Sequence, residues 1–346
     1  MSQLPPPEPT LPPAAARPAR PRYRLVAGLV AVVVLLAGGW SLYWWQAAET
    51  LERAISEAGK TPAEGGRAEL VCRDRVISGY PFHLVLTCSE GVIAAPGLPQ
   101  ISLGAITASA RLDNPQAVTA DITGPLEAGE AGAPLLSAAW QHGRLSLHFS
   151  GTGLRQGAIT IDKPGVTALG LPLITADLVE LVVGQEEGAG ASTAALTITG
   201  GHGEPGTPPL DVSLIVAVDD NGRTLAGQGL QVPPQGLPLK LTRLSLRSGP
   251  AAIEAEGDLS LRPDGLLDGS LDVRLVDPKA LAGVIGGLAP GLQGLGDPIA
   301  TAVAMLGQPT QVGGRPASGL TVALRASRAF IGFIPVGRLP PIPVGP

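Results

Sequence analysis

Residues 25–45, LVAGLVAVVVLLAGGWSLYWW, run for 21 positions without a charged side chain. As a helix rising 1.5 Å per residue they span roughly 31 Å, the thickness of a bilayer's hydrocarbon core. The run therefore reads as a transmembrane anchor and divides the chain into two sides. Arg17, Arg20, Arg22 and Arg24 precede it against a single acid, Glu8, which keeps the tail in the cytoplasm. Trp40, Tyr43, Trp44 and Trp45 gather at its other end as an interfacial belt, so Arg22 and Arg24 mark one membrane interface and these aromatics the other. A cleaved signal peptide has a shorter apolar region ending at a small-x-small site. This run ends in bulky aromatics and is read as retained. Residues 1–24 carry eight prolines and suit an extended polyproline tail. Residues 46–346 are then exported, which in a bacterium means a single-pass inner-membrane protein with its main domain in the periplasm.

The exported part changes its period. QAAETLERAISEAG, residues 46–59, places Leu51, Ala54, Ile55 and Ala58 at helical spacing and predicts a stalk helix, with a linker to residue 66. From about residue 67 the period is two. Leu145, Leu147 and Phe149 alternate with Ser146 and His148; Leu271, Val273 and Leu275 alternate with Asp272 and Arg274. LDVSLIVAVDD and GLTVALRAS read the same way, and the Pro-Asp-Gly turn at 263–265 joins two such runs. Asp277-Pro278 and Asp297-Pro298 each open a helix, the second ending at Gly307. With 47 glycines, 35 prolines and 3% aromatics, the composition fits many short strands with aliphatic packing. The expected class is mainly β (α+β): an N-terminal transmembrane helix, then over residues 67–346 a large curved antiparallel sheet with a few short helices.

Beyond residue 24 the chain holds 20 basic and 28 acidic residues, a net of −8, from the totals of 24 and 29 less the four arginines and one acid of the tail. That balance, with few aromatics, excludes a nucleic-acid partner. No nucleophile elbow, zinc-protease helix or phosphate loop is present, and GTGLRQG at 151–157 reads as a turn. His142 and His148 would lie about 20 Å apart on one strand, too far to share a metal. His202 reads as a loop histidine, and Asp219-Asp220 and Glu186-Glu187 as solvated turns. No catalytic residue, metal or cofactor is assigned.

CRDRVISGYPFHLVLTC, residues 72–88, holds both cysteines. In an oxidising compartment Cys72 and Cys88 are expected to form a disulfide. If they face each other across a hairpin, paired numbers sum to 160 and Ile77–His83 connect the strands. A tight turn at Ser78-Gly79 gives 157 instead. In the first register Tyr80 and Phe82 plug one end of the sheet and the stretch is a structural clasp. The other reading makes Ser78, Gly79, Tyr80, Pro81, Phe82 and His83 an exposed interaction loop.

Gly79-Tyr80-Pro81-Phe82 flanked by Cys72 and Cys88, behind an N-terminal span, resembles the bacterial domain-of-unknown-function family numbered 2125. GLTVALRASRAFIGFIPVGRLPPI is similar to that family's ending, although His83 stands where the family often has a basic residue. The resemblance implies no activity and carries over no catalytic residue. GDLSLRPDGLLDGSLDVRLVDPKALAGVI also looks like the strand-turn-strand-helix endings of AsmA-like envelope proteins, which combine an anchor with long curved sheets, some with a lipid-lined groove. The expected function is a non-enzymatic lipid-handling or envelope-biogenesis factor. Its partners would be the membrane bilayer and lipid or acyl chains in an apolar groove. The alternative is a scaffold that docks other envelope proteins through a sheet edge or the Tyr80 loop, and an envelope enzyme ranks third.

Overall fold

The computed structural model describes residues 22–58, 69–94, 99–130, 133–151, 153–185, 190–203, 208–220, 232–277 and 305–342, with the single positions 225, 280 and 303. The tail before Arg22, the acids Glu186-Glu187 and the second helix start at Asp297-Pro298 lie outside them. The chain divides into two compact units, Met1–Thr50 and Leu51–Pro346. Helix α1 (Arg22–Ala58) is continuous, so the span and the expected stalk are one element. Within it Ala27–Arg53 is long and apolar enough to cross a membrane, with a mean hydropathy of 1.8, and fits a single-pass anchor or a signal sequence.

The second unit is antiparallel β throughout its described strands. It begins as a meander whose every strand is interrupted once. β1 (Glu69–Arg73) continues past Asp74-Arg75 into β2 (Val76–Ser78), and β3 (His83–Cys88) past Ser89 into β4 (Glu90–Ala94). β5 (Ile101–Leu103) and β6 (Ile106–Arg111) flank Gly104-Ala105; β7 (Asn114–Ile122) and β8 (Leu126–Glu130) flank residues 123–125. β9 (Ala133–Ala139) and β10 (His142–Ser150) flank Trp140-Gln141. β11 (Gly153–Asp162) and β12 (Gly165–Ala168) flank Lys163-Pro164; β13 (Leu171–Thr175) and β14 (Leu178–Gln185) flank Ala176-Asp177. One half of each strand joins a seven-stranded sheet, β1-β4-β5-β8-β9-β12-β13. The other half joins the start of a 16-stranded sheet. The expectation of one sheet is thereby refined to two that share their strands along a crease.

The crease has local causes. Asp74 and Lys163 take left-handed φ values of 45° and 48°, and Pro125 and Pro164 lack the N–H a ladder needs. A Cβ at Gly104 would meet the Thr123 carbonyl oxygen at 2.5 Å, so the backbones approach there as only glycine allows. The interrupted backbone groups stay paired across the crease. Ser89 N–H donates to Arg73 C=O (3.1 Å), Thr123 N–H to Ala105 C=O (2.9 Å) and Ala176 N–H to Pro164 C=O (2.9 Å). The Trp140 indole N–H donates to Ile122 C=O at 2.9 Å, which fixes a bulky ring at the fold line.

The large sheet continues through β15 (Ser192–Gly201), β16 (Leu210–Val218), β17 (Leu237–Ser248), β18 (Ala251–Leu261) and β19 (Leu267–Val276). It ends in β20 (Gln308–Val312), β21 (Arg315–Arg325), β22 (Arg328–Ile331) and β23 (Ile334–Arg338). The Pro-Asp-Gly turn joins β18 to β19 as expected, with Gly265 at φ 77° and its N–H on Arg262 C=O. GTGLRQG is a turn only at its start, because Gly153 already opens β11. Asp277 caps the helical segment that follows β19 by accepting the Ala280 N–H at 3.1 Å.

The driest packing lies late in the chain. Leu237, Leu261, Leu267 and Leu324 form one buried cluster; Ala251, Leu275 and Val303 form another, with Ala280 packed against it. Over β1–β16 the apolar strand residues are mostly half-buried. Truncating Leu261 to Ala is therefore expected to cost about 2–5 kcal/mol in denaturant unfolding. Leu181→Ala, at a site already 36% exposed, should cost less than about 1 kcal/mol. Equal costs would contradict this division of the core.

Candidate functional site

Cys72 and Cys88 are bonded, with Cα atoms 5.5 Å apart. The register differs from both hairpin expectations. Val76 pairs with Thr87, Ile77 with Leu86 and Ser78 with Val85, a sum of 163, and Cys72 lies opposite Gly91. The crease at Ser89 is the reason: Cys72 lies in the small sheet and Cys88 in the large one, so the bond joins the two halves across the fold line instead of stapling a single hairpin. Cys88 is buried and Cys72 half-buried. Ser89 reinforces the junction by donating its hydroxyl to Asp74 at 2.9 Å.

The connection between β2 and β3 is the four residues Gly79–Phe82, closed by His83 N–H on Gly79 C=O at 3.0 Å. Gly79 has φ 103°, and a Cβ there would meet the His83 carbonyl oxygen, so glycine is required. Tyr80 is 55% and Phe82 63% exposed, and the expected plug is overturned: both point outward from a short, tight turn. Ser78 and His83 are exposed and Pro81 half-buried. His83 pairs with Arg111, and the Phe82 carbonyl accepts the Leu112 N–H (3.0 Å). Arg111 grips Asp113 with two hydrogen bonds of 2.8 and 2.6 Å and holds its carboxyl below the usual range.

A larger feature emerges from the strand registers. Leu86, Ala108, Ala120, Leu145, Ile159 and Leu181 stand opposite one another on β3, β6, β7, β10, β11 and β14. The row continues without a break through Leu196, Leu214, Leu244, Ala255, Val273 and Leu320. A parallel row begins Leu84, Ala110, Val118 and Leu147, and a third begins Cys88, Ile106 and Ile122. At about 4.8 Å per strand this apolar face runs roughly 50 Å. Val303 and Ala280 pack on its late part. From β3 to β16 most of its side chains remain half-exposed, and Leu181 more than that.

The opposite face is polar. A concavity of about 550 Å³ lies on it over β16–β19, lined by Asp211, Arg243, Arg247, Glu254, Glu256 and Arg274 among others. Its charges are cross-paired: Arg247–Glu254 at 3.7 Å, Arg274–Glu254 at 3.9 Å, and Arg274 with Glu256. Its charged lining is not the apolar groove that the sequence suggested.

The remaining expected residues separate. His142 and His148 are exposed on β10, and an extra residue in β11, Arg155, pairs Phe149 with Leu154 and keeps it on the face of Leu145 and Leu147. His202 is not in a loose loop: it exchanges backbone hydrogen bonds with Thr175 (2.8 and 2.7 Å), tying β15 to the last strand of the small sheet. Asp220 is buried and accepts the Ser192 hydroxyl at 2.7 Å, so it is no solvated turn acid. Among the described residues no group of three His, Cys, Asp or Glu side chains gathers as a metal site. In the first unit Trp40, Tyr43 and Trp45 are exposed and Trp44 is half-buried, with the Trp40 and Tyr43 rings 5.7 Å apart; Arg22 and Arg24 lie at the start of α1.

Removing the disulfide with Cys72→Ser is expected to cost on the order of 3 kcal/mol, read by thermal unfolding under oxidising conditions. Phe82→Ala should change stability by less than about 0.5 kcal/mol, because its ring is largely in solvent. A large loss at Phe82 would return the loop to the core.

Neither curated proteins nor solved structures offer a match to this chain. A family model described as an uncharacterized protein conserved in bacteria (DUF2125) matches residues 44–340, from the end of the apolar span through β23. Gly79-Tyr80-Pro81-Phe82 and both cysteines fall inside that match, and the chain belongs to the DUF2125 family.

Proposed function

We propose that this chain is a non-enzymatic envelope protein that handles lipid or supports envelope biogenesis through the apolar face of its large sheet. One observation carries the reading: an aliphatic face three rows deep stays half-exposed across β3–β16. An apolar surface of this extent marks a binding surface for lipid, membrane or protein. Its unbroken run of Leu, Ile, Val and Ala suits acyl chains, which ask for no hydrogen bonds. The helix Ala27–Arg53 supports an anchor in the inner membrane, the flanking arginines support a cytoplasmic tail, and the disulfide supports a periplasmic body. The architecture also fits the likeness to AsmA-like envelope proteins, as an analogy of form.

The test is lipid retention by the full-length protein purified in mild detergent. Co-extracted lipid is expected, and Leu145→Asp or Leu196→Asp should lower it several-fold, since each sets a charge in the apolar rows. Equal retention in wild type and both variants would sink the proposal.

A second reading has its own support in the outward-facing Tyr80 and Phe82: a scaffold that docks other envelope proteins through this loop. Pull-downs from crosslinked membranes should then lose specific partners in Tyr80→Ala/Phe82→Ala. An unchanged partner set would exclude it.

A further inference from the structure

At the C-terminal edge of the large sheet, Arg325 stands directly opposite Arg328, and Arg328 directly opposite Arg338. Three guanidinium groups thus share the polar face of three adjacent strands, within about 10 Å across. Like charges opposed in this way are unfavourable for the sheet itself. All three side chains are exposed, and among the described residues none has a carboxylate within ion-pair distance. The register places one acid beside them, Asp268. Its carboxylate accepts the Ala326 N–H at 2.6 Å and lies 3.9 Å from Arg262. Elsewhere on this face Arg144, Arg247 and Arg274 each meet an acid.

The row is also held in place. Ala326 and Ser327, which turn β21 into β22, take φ values of 49° and 61° without being glycine. Ser327 is fully buried. It donates its N–H to Leu267 C=O (2.7 Å), accepts the Leu267 N–H on its hydroxyl (2.9 Å) and accepts the Leu339 N–H on its carbonyl (2.8 Å). Arg325 is steadied over the Phe330 ring, 5.7 Å from its centroid. The turn of the same edge hairpin exposes Phe333 by 90%, while Ile334, opposite Ile331, belongs to the sheet's other face.

We propose that Arg325, Arg328 and Arg338 form a docking surface for the anionic head groups of a phospholipid bilayer. Three clustered cations with no carboxylate in reach among the described residues, in a body of net negative charge, offer a site for an external anion. The Phe333 ring, exposed at the turn of the same hairpin, suits a membrane interface and not a small soluble anion. The N-terminal helix, which fits an anchor, makes a bilayer the anionic surface at hand. This surface lies on the face opposite the apolar rows and stands or falls separately from acyl-chain handling.

The test uses the full chain held in phosphatidylcholine nanodiscs and its binding to added vesicles. Vesicles containing phosphatidylglycerol should bind more tightly than pure phosphatidylcholine, and the preference should fade with salt. R325Q, R328Q and R338Q should each weaken that binding about fivefold, while arginine-to-lysine changes retain most of it. Melting temperature should hold or rise in the glutamine variants, because a repulsion is removed; a purely structural role would lower it. Should a variant at the turn fail to fold, R338Q on the edge strand gives the same reading. Equal binding to both vesicles, undiminished binding by the variants, or capture of inorganic phosphate without vesicle preference would overturn the assignment.

Discussion

Side-chain parity is kept across every antiparallel pair of the large sheet, and the rest of the structure depends on it. A one-residue slip between any two strands would send all later apolar side chains to the other face. β17 makes the point. Leu239 and Leu241 are separated from Leu244 and Leu246 by an odd step, yet all four serve the same face, because Thr242-Arg243 form a bulge between Leu241 and Leu244. The bulge restores the phase and turns Arg243 toward the charged concavity. One face therefore remains aliphatic from β3 to β21 while the other gathers the ion pairs.

The crease adds a second level. By bending every strand of the early meander once, the chain builds two sheets from one set of strands and keeps the backbone paired across the fold line. The disulfide bridges that line at its first turn, where Cys88 shares the apolar face with Ile106 and Ile122. Past β16 Val303 and Ala280 pack on the apolar face in a dry core; before it the same face stays half-exposed. Stability and an accessible apolar surface are thus assigned to different ends of one sheet.

Much of this was legible in local pattern. Alternation at Leu145–Leu147 and Leu271–Leu275 named the inward residues, the uncharged 21 residues named the helix, and two cysteines in a non-reducing setting named the bond. What escaped was non-local. Nothing local in the sequence marks Ser89 or Trp140-Gln141 as a fold line, so the crease and the register of 163 were hidden. Asp220 looked solvated because its partner Ser192 is 28 residues away. Arg325, Arg328 and Arg338 become a row only when two hairpins fold them together. A longer view of β11–β16, where ITID and ALTIT alternate, would have pointed to the continuous face.

The central claim is that this face meets lipid. Photo-crosslinking residues placed along β10–β16 in native membranes test it directly. Leu145, Ile159, Leu181, Leu196 and Leu214 are predicted to crosslink lipid, while Arg144, Thr160, Glu180, Thr197 and Ser213, one residue away on the opposite face, do not. Lipid adducts without that alternation, or none at the leucine positions, would contradict the account.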